Sequence, residues 1–413
     1  MQVKRIAIVG GGPAGMMASI RAGQLKQDVV LIEKNPALGR KLLLSGKGRC
    51  NLTNACALEE FLKRFSRNGE FLRDAFKVFF NKELMSFFTA RGLKLNIERQ
   101  MRVFPACDKS ASVLGIIKNE LAKNKVRVLY NCRLKDILLK GSEARAVELS
   151  GGKFIYCDRV ILACGGVSYG FTGSSGEGLE IVRKLGHHIV PLRAGLVALK
   201  TKERYFEELK GITLKNVRLI FSDCQRKLIS GVGELLFTDF GVSGPLVLTL
   251  SGQIVDWLLE KKRVYLDIDL KPALSYGQLE ARLLGEFKSS PRKNIKNIMK
   301  SLLPQRMADV FLGVCGISCK NASQITQEER RKIINQLKGL RLEISGPMPI
   351  EEAMITRGGV SLKEVDPRTM QSRLIKGLYF AGEMLDIDAD TGGFNLQAAF
   401  STGYLAGESA ALN

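Results

Sequence analysis

The sequence has no long apolar run and few of the residues that build metal or dithiol sites. No stretch of about 18 consecutive apolar residues occurs, so no membrane-spanning helix is predicted. The 9 cysteines include no Cys-x-x-Cys pair, and with only 2 histidines a zinc site is not expected. A predicted strand starts almost at the first residue and leaves no room for a signal peptide. We therefore expect a cytoplasmic protein with reduced thiols, no membrane partner and no metal.

Acidic residues are also in deficit, because 63 Lys and Arg stand against 41 Asp and Glu and give a net charge of +22. Such a surplus is typical of proteins that bind nucleic acids or anionic surfaces. The densest basic stretch, 282–300, has few aromatic residues for base stacking, and we interpret it as a solvated helical face. Nucleic acid is therefore not the expected partner. The sequence leaves the oligomeric state open.

Glycine provides the most informative motif. Residues 6–15 read IAIVGGGPAG, in which a short apolar strand ends at Gly10-x-Gly12-x-x-Gly15. Gly10 permits a tight turn, Gly12 lets the backbone approach a pyrophosphate, and Gly15 lets the next helix pack against the strand. Glu33 ends the second strand at the spacing of an acid that hydrogen-bonds an adenosine ribose. A carboxylate there repels a ribose 2′-phosphate, which favours FAD or NAD over NADP.

The pattern along the chain predicts an α/β protein with an interrupted nucleotide-binding domain. Residues 1–190 alternate strand-like and helical segments and form its first part. A β-rich subdomain is predicted over 191–270 and a helical, basic subdomain over 271–354. Residues 355–413 return to glycine-bearing turns and form the second part of the first domain.

The end of the chain favours FAD over NAD. A predicted strand at 377–381 leads into Gly382 and Glu383, and a helix of small residues begins near Asn395. This strand–Gly–acid element resembles the late element of flavoproteins with two dinucleotide-binding domains, whereas an NAD domain needs no late strand. A helix N-terminus there would stabilise the negative charge of a reduced flavin.

Several blocks together resemble one bacterial family, the NAD(P)/FAD-dependent oxidoreductases of the BaiN or YhiN type. These blocks are GGGPAG, LLLSGKGRCNLTN, ILACGG, ELLFTDFGVSGP, TRGGV and GLYFAGEMLDIDADTGGFNLQAAFSTG. The resemblance covers nearly the whole chain, and it implies a discontinuous Rossmann-like FAD-binding domain with a β-rich and a helical insertion. The chain departs from the family at Gly170, where many members have proline after Ser-Tyr.

The matching positions imply three groups of FAD contacts. The ADP half matches Gly10, Gly12, Pro13, Ala14, Gly15, Glu33 and Lys34. The loop beside pyrophosphate and flavin matches Arg40, Lys41, Ser45, Gly46, Gly48, Arg49, Cys50 and Asn51, and basic residues there suit a charged pyrophosphate. The flavin end matches Gly382, Glu383, Asp386, Gly393, Phe394, Asn395, Leu396 and Gln397. Val128 is a further candidate, expected to contact adenine through its backbone.

No catalytic side chain can be assigned from the sequence. His187 and His188 lie at the end of a predicted helix. The negative end of the helix dipole favours a histidine at such a position, so we infer no proton-transfer role for either residue. Cys50 is interpreted as a small buried residue near the cofactor, and Tyr169 has nothing that directs it at a substrate. A flavin needs little acid–base assistance to accept a hydride.

The function expected from these observations is an FAD-dependent oxidoreductase that acts on a small organic molecule. The predicted reaction is reduction of an activated C=C bond, of enone or 3-oxo-diene type, by hydride transfer at flavin N5. NAD(P)H is the expected donor, although no second glycine fingerprint is present. Activities in the resembled family diverge between reduction of a bile-acid 3-oxo-4,6-diene and oxidation of aminoacetone. An O₂-using amine oxidase and an RNA-binding or RNA-modifying flavoprotein therefore stay open as alternatives.

Overall fold

The computed structural model of the protein describes residues 2–204 and 207–413. The chain divides into two compact units. Unit 1 consists of the described residues up to Ala194 and from Ile350 onward, and unit 2 is Gly195–Pro349. The chain thus leaves its first unit once and returns to it.

The strands and helices follow one another in the order of their numbers. The strands are β1 (Arg5–Val9), β2 (Asp28–Ile32), β3 (Thr53–Asn54), β4 (Leu95–Ile97), β5 (Arg102–Pro105), β6 (Arg127–Leu129), β7 (Leu134–Lys140), β8 (Glu143–Leu149), β9 (Phe154–Tyr156), β10 (Arg159–Leu162), β11 (Ile189–Gly195), β12 (Leu199–Thr201), β13 (Thr213–Ser222), β14 (Lys227–Phe237), β15 (Gly241–Ser243), β16 (Val264–Asp269), β17 (Leu340–Pro347), β18 (Ile355–Val360) and β19 (Leu378–Phe380). The helices are α1 (Pro13–Gln24), α2 (Arg40–Leu44), α3 (Leu58–Leu62), α4 (Arg73–Val78), α5 (Asn81–Thr89), α6 (Ser110–Lys123), α7 (Glu177–Lys184), α8 (Pro245–Leu259), α9 (Tyr276–Ser289), α10 (Ile295–Leu302), α11 (Gln305–Cys315), α12 (Gln327–Lys338) and α13 (Phe394–Leu412).

A five-stranded parallel sheet forms the centre of unit 1, in the order β19-β10-β1-β2-β6. Strands β1, β2 and β10 are short apolar runs buried on both faces, as parallel strands covered by helices require. Val9 at the end of β1 pairs with Ile32 of β2 on one side and with Leu162 of β10 on the other. The loops that follow these strands therefore meet at one edge of the sheet, where α/β proteins bind nucleotides.

Helices α1 and α13 pack on each other at very short range. A Cβ added at Gly403 would lie 2.2 Å from the carbonyl oxygen of Ala14, and one at Gly407 would lie 2.4 Å from that of Ala18. Glycine at both positions lets the last helix lie directly against the helix that follows the glycine-rich turn. The C-terminal segment is thereby fixed to the N-terminal βαβ element.

Smaller sheets complete unit 1. They are the three-stranded sheets β3-β5-β4 and β7-β8-β9 and the two-stranded sheet β11-β18.

Phenylalanines of α3 and α4 form an aromatic cluster in which the Phe61 and Phe76 rings are 5.3 Å apart. This cluster lies under the start of α13, because Phe61 also contacts Phe394.

Unit 2 contains a closed barrel with the strand order β12-β15-β14-β13-β16-β17. Strand β17 pairs with β16 and β12 and closes the barrel, although it lies in the stretch 271–354 for which the sequence predicts helices. Helix α8 precedes β16, and helices α9 to α12 lie between β16 and β17. Barrel residues such as Leu266 and helix residues such as Phe311 share one hydrophobic core. No described helix of either unit is long and apolar enough to cross a membrane.

Candidate functional site

The turn between β1 and α1 has the form that a dinucleotide site requires. Gly10 has a φ of +108°, and a Cβ there would lie 2.3 Å from the carbonyl oxygen of Ala163. A Cβ at Gly15 would lie 1.9 Å from the carbonyl oxygen of Gly10, so helix and strand need glycine at both positions. A Cβ at Gly12, in contrast, would meet no atom within 4 Å. Protein packing does not explain glycine at Gly12, whereas a pyrophosphate against the N-terminus of α1 does.

Glu33 lies beside this turn, directly after β2. Its Oε2 accepts a hydrogen bond from the Gly11 amide at 2.7 Å, and Oε1 accepts from the Asn35 amide at 2.8 Å. The buried carboxylate is therefore held at the carboxyl end of the sheet, as a ribose partner must be. Val128 lies on the neighbouring strand β6 opposite Leu31, which places it next to the strand that carries Glu33.

The basic residues of the ADP half and the next loop already have partners. Lys34 Nζ donates to Ser175 Oγ at 2.6 Å, and Arg40 donates to the side chain of Asn35 at 2.9 Å. Arg49 forms ion pairs with Glu98 and Asp108, and these carboxylates raise the pKa of its guanidinium. Arg49 would have to exchange partners in order to contact a pyrophosphate.

The loop that carries Ser45, Gly46 and Gly48 is a short 3₁₀ turn with left-handed residues at Gly46 and Lys47. Cys50 follows it with a φ of +63° and is fully buried. Burial raises the pKa of the Cys50 thiol to about 12, so no thiolate is available near neutral pH. The structure therefore favours a packing role for this cysteine.

Asn51 connects this loop to the flavin end of the predicted site. With its amide oriented to satisfy both partners, Asn51 donates to the Thr53 carbonyl at 3.1 Å and accepts from the Gly393 amide at 3.1 Å. A Cβ at Gly393 would lie 2.4 Å from the Thr53 backbone. The sequence blocks SGKGRCNLTN and TGGFNLQ, both part of the family resemblance, are thus in direct contact.

The first turn of α13 turns its large side chains into the protein. The Phe394 ring is buried 4.7 Å from the Phe61 ring, and Gln397 is buried with Oε1 accepting from Thr53 Oγ1 at 2.6 Å. Asn395 Nδ2 donates to the Ala389 carbonyl at 2.8 Å, while Leu396 is half-buried. This turn has no acidic residue and no side-chain cap. It can offer a ligand its backbone amides and the positive end of the helix dipole, which suits the electron-rich edge of a reduced flavin.

A polar network links the early loop to the late strand. Lys41 Nζ lies 2.7 Å from both Glu383 Oε2 and Ser168 Oγ. Ser168 Oγ donates to Glu383 Oε1 at 2.9 Å, and the Thr356 amide donates to the same oxygen at 2.8 Å. Lys41 and Glu383 are in the predicted set, but Ser168 and Thr356 are not. Thr356 is the first residue of the TRGGV block. That block was part of the family resemblance and was the one sequence signal that could have pointed to Thr356.

Carboxyl groups lie just before the glycine pair of the flavin end. Asp386 Oδ2 accepts from Asn68 at 3.3 Å, and Asp388 is buried 3.6 Å from Arg357. Burial raises the pKa of Asp388 and raises that of Asp390 to about 6. The sequence does not single out Asp390, because its pKa depends on burial. Within the described residues no group of three or more metal-ligating side chains could hold a metal ion.

Comparison with known proteins identifies two kinds of similar enzyme. The chain is 33% identical over 413 residues to the 3-dehydro-bile acid delta(4,6)-reductase of Clostridium scindens, covering 99% of each chain. It is 29% identical over 398 residues to the ribosomal RNA dihydrouridine synthase of Escherichia coli, covering 96% of this chain and 95% of that protein.

Solved structures support the fold alone. A quinol-fumarate reductase with menaquinol matches with a TM-score of 0.53 at 16% identity, over 100% of this chain and 71% of that chain. The 3-ketosteroid delta1-dehydrogenase of Sterolibacterium denitrificans matches with a TM-score of 0.51 at 11% identity, over 100% of each chain.

The family described as HI0933-like protein Rossmann domain matches residues 4–409. The predicted α/β fold class and the resemblance to a bacterial flavoprotein family are therefore confirmed. The predictions of an oxidoreductase enzyme and of FAD as its cofactor are confirmed with them. The chain belongs to the HI0933-like Rossmann family.

Proposed function

We propose that the protein reduces a C=C bond conjugated to a carbonyl group, with FAD in unit 1 as hydride carrier and NAD(P)H as donor. The observation that carries the proposal is the meeting of the early loop and the late strand beside the glycine turn: Lys41 pairs with Glu383, and a Cβ at the neighbouring Gly382 would lie 2.8 Å from the Ala14 side chain of α1. Bound FAD would supply a hydride at N5, which adds to the β-carbon of the substrate.

The names of the similar enzymes support the same bond chemistry. A delta(4,6)-reductase removes C=C bonds, and a dihydrouridine is a uridine with two added hydrogens. Both substrates present a C=C bond conjugated to a carbonyl group. The C=C bond belongs to a bile acid in one relative and to a ribosomal RNA base in the other. Reduction of an activated C=C bond is therefore the function that both relatives favour, whereas they differ in the substrate molecule.

In this proposal the residues of unit 1 hold and orient the cofactor. Glu33 hydrogen-bonds the adenosine ribose, and the N-terminus of α1 at Gly12 binds the pyrophosphate. The Lys41–Glu383 pair stays fixed by Ser168 and Thr356 beside the ribityl chain. The first-turn amides of α13 stabilise negative charge at the pyrimidine edge.

The reaction also needs one proton at the α-carbon of the substrate. Asp390 lies two residues before the Gly392–Gly393 pair, and Arg64 and Asp388 are the charged groups that act on it. Burial raises the pKa of its carboxyl to about 6, which suits a group that gives up a proton near neutral pH. Asn395 Nδ2 donates to the Asp390 carbonyl at 3.3 Å, which ties Asp390 to the first turn of α13, the predicted flavin end. We therefore propose Asp390 as the proton donor.

A ribosomal RNA uridine is the second candidate substrate. Two observations favour it, the net charge of +22 and the 29% identity to a ribosomal RNA dihydrouridine synthase over 96% of this chain. In this alternative the flavin chemistry is unchanged. The two candidates differ in the substrate that reoxidises the reduced enzyme.

Anaerobic half-reactions test the proposal. NADH and NADPH are added separately to the purified holoenzyme while the flavin absorbance is followed, and bleaching by at least one of them is expected. A 3-oxo-4,6-diene steroid or a uridine-containing ribosomal RNA is then added without O₂. Reoxidation by the diene supports the first candidate, and reoxidation by RNA with formation of dihydrouridine supports the second.

Control reactions make the result decisive. Reoxidation only by O₂, with release of hydrogen peroxide, would overturn the proposed C=C reduction and favour an oxidase. Asp390→Asn should keep the bleaching step and slow the reoxidation by the C=C substrate, with loss of the pH dependence near 6. An equal rate and pH profile in Asp390→Asn would remove this residue from the mechanism.

A further inference from the structure

Unit 2 contains an open pocket of about 440 Å³ that is rich in cationic side chains. It lies between α10 and the start of α11, in the basic part of the chain for which the sequence suggests only a solvated face. The lining residues are Ile212, Lys296, Lys300, Pro304, Gln305, Arg306 and Asp309. We propose that this pocket binds a phosphate group.

The charges of the pocket do not cancel. Lys296 Nζ lies 2.7 Å from Asp309 Oδ1, so this pair is close to neutral. Within the part of the chain that the structure describes, Lys300 forms no ion pair. Arg306 donates to the Glu208 carbonyl at 2.6 Å, which holds its guanidinium in place without neutralising it. Two positive charges therefore face a space large enough for a phosphate.

The backbone places the two lysines on one wall of the pocket. Lys296 and Lys300 are one helical turn apart on α10, so their side chains project from the same face. Pro304 precedes the 11-residue helix α11, which begins at Gln305 and whose first turn has no acidic residue and no side-chain cap. The dipole of α11 adds to the field that the side chains produce, while the side chains carry the specificity for an anion.

A phosphate group is the ligand that this chemistry fits. Lysine and arginine donors bind phosphate oxygens through charge-assisted hydrogen bonds. The phosphate could belong to an RNA backbone or to a free phosphorylated molecule, and the net charge of +22 favours the polyanion. The inference needs no property of the flavin site, so it stands or fails independently of the proposed reduction.

Binding of labelled RNA and of inorganic phosphate to the holoenzyme tests the pocket. Fluorescence anisotropy of a labelled single-stranded RNA is measured over a series of salt concentrations, and inorganic phosphate is titrated by calorimetry. Lys300→Ala should weaken binding up to about fivefold, as expected for one exposed ion pair, and should lower the salt slope by about 0.7. Asp309→Asn should strengthen binding, because it frees Lys296 from its carboxylate partner.

Lys288→Ala is the matched control, since Lys288 is an exposed lysine of α9 that does not line the pocket. Binding by this variant should equal that of the parent protein, and flavin content and thermal stability should be unchanged in all three. RNA binding with these effects identifies a polyanion, and phosphate binding alone identifies a free phosphorylated ligand. Equal losses in Lys288→Ala and Lys300→Ala, or no binding of either probe, would overturn the proposal.

Discussion

At the scale of single residues, Gly12 and Gly15 belong to one motif but are glycine for different reasons. Gly12 has an ordinary φ of −83° and open space around it, so Gly12→Ala should fold with unchanged thermal stability as apoprotein. The added methyl should weaken FAD binding by about tenfold or more, since the pyrophosphate must approach this backbone. Gly15→Ala should instead destabilise the fold by about 1–3 kcal/mol, because its methyl meets the Gly10 carbonyl.

Thermal unfolding of the apoproteins and FAD titration of each variant separate the two effects. A stability loss in Gly12→Ala would show that protein packing requires this glycine. Unchanged FAD affinity in Gly12→Ala would contradict the assignment of the pyrophosphate to this turn.

His187 should make the stability of the protein depend on pH. The imidazole is buried, and Nε2 lies 2.8 Å from Ser372 Oγ, which itself accepts from the Leu374 and Ile375 amides. Burial lowers the pKa of His187 below its usual 6.5, with a partial opposing effect of Glu364. The unfolded chain therefore takes up a proton first as the pH falls. The stabilising contribution is complete above pH 6.5 and is lost as the pH falls from there through the folded-state pKa.

Urea unfolding between about pH 7.5 and pH 5.5 measures this contribution. The free energy of unfolding of His187→Gln should vary less over this range than that of the parent protein. His188→Gln is the control, because His188 is exposed and is the other histidine of the chain. An identical pH dependence in the parent and in His187→Gln would show that other groups cause it.

At the scale of elements, the contact between α1 and α13 depends on the absence of side chains at Gly403 and Gly407. Gly403→Ala places a methyl group 2.2 Å from the Ala14 carbonyl, so the helices must separate. We expect a loss of about 1–3 kcal/mol in stability, and weaker FAD binding because α13 carries the residues predicted for the flavin end. Gly285→Ala on α9 is the opposite control, because its methyl meets no atom and should stabilise the helix by about 0.5–1 kcal/mol. Thermal unfolding that ranks the variants otherwise would contradict this packing.

Local pattern was sufficient to predict the elements that form the nucleotide-binding edge. The strand before Gly10, the strand ending before Glu33 and the late strand before Gly382 are each short apolar runs followed by glycine or an acid. Strand β17 has a different signature, the alternation of buried Leu340, Leu342 and Ile344 with charged residues, which the prediction of a helical stretch over 271–354 missed.

The partners within the site were less predictable than the elements. The Lys41–Glu383 network depends on Ser168 and Thr356, which reach one carboxylate from distant parts of the sequence. Phe394 and Gln397 are expected as FAD contacts, and their side chains are buried in the protein, which leaves their backbone for such a contact. Which side of a helix turn faces the ligand follows from tertiary packing, so the motif identified the turn and not the contacting atoms.

At the scale of the whole molecule, each unit has its own hydrophobic core, and the expected FAD contacts all lie in unit 1. Trp257 is the single tryptophan and lies buried in the core of unit 2. Excess FAD should therefore raise the midpoint temperature for unfolding of unit 1, because FAD binding stabilises the folded state of that unit. The midpoint temperature of unit 2 should stay unchanged.

Two fluorescence signals measured in the same thermal scan test this expectation. Release of flavin fluorescence reports the unfolding of unit 1, and the emission of Trp257 reports that of unit 2. The flavin midpoint should rise with FAD concentration, as mass action requires, while the tryptophan midpoint stays constant. Gly12→Ala is the matched control, in which the flavin midpoint should rise less at the same FAD concentrations and the tryptophan midpoint should again stay constant. A tryptophan midpoint that rises together with the flavin midpoint would show that the two cores unfold as one cooperative body, so that a ligand of unit 1 stabilises the barrel as well.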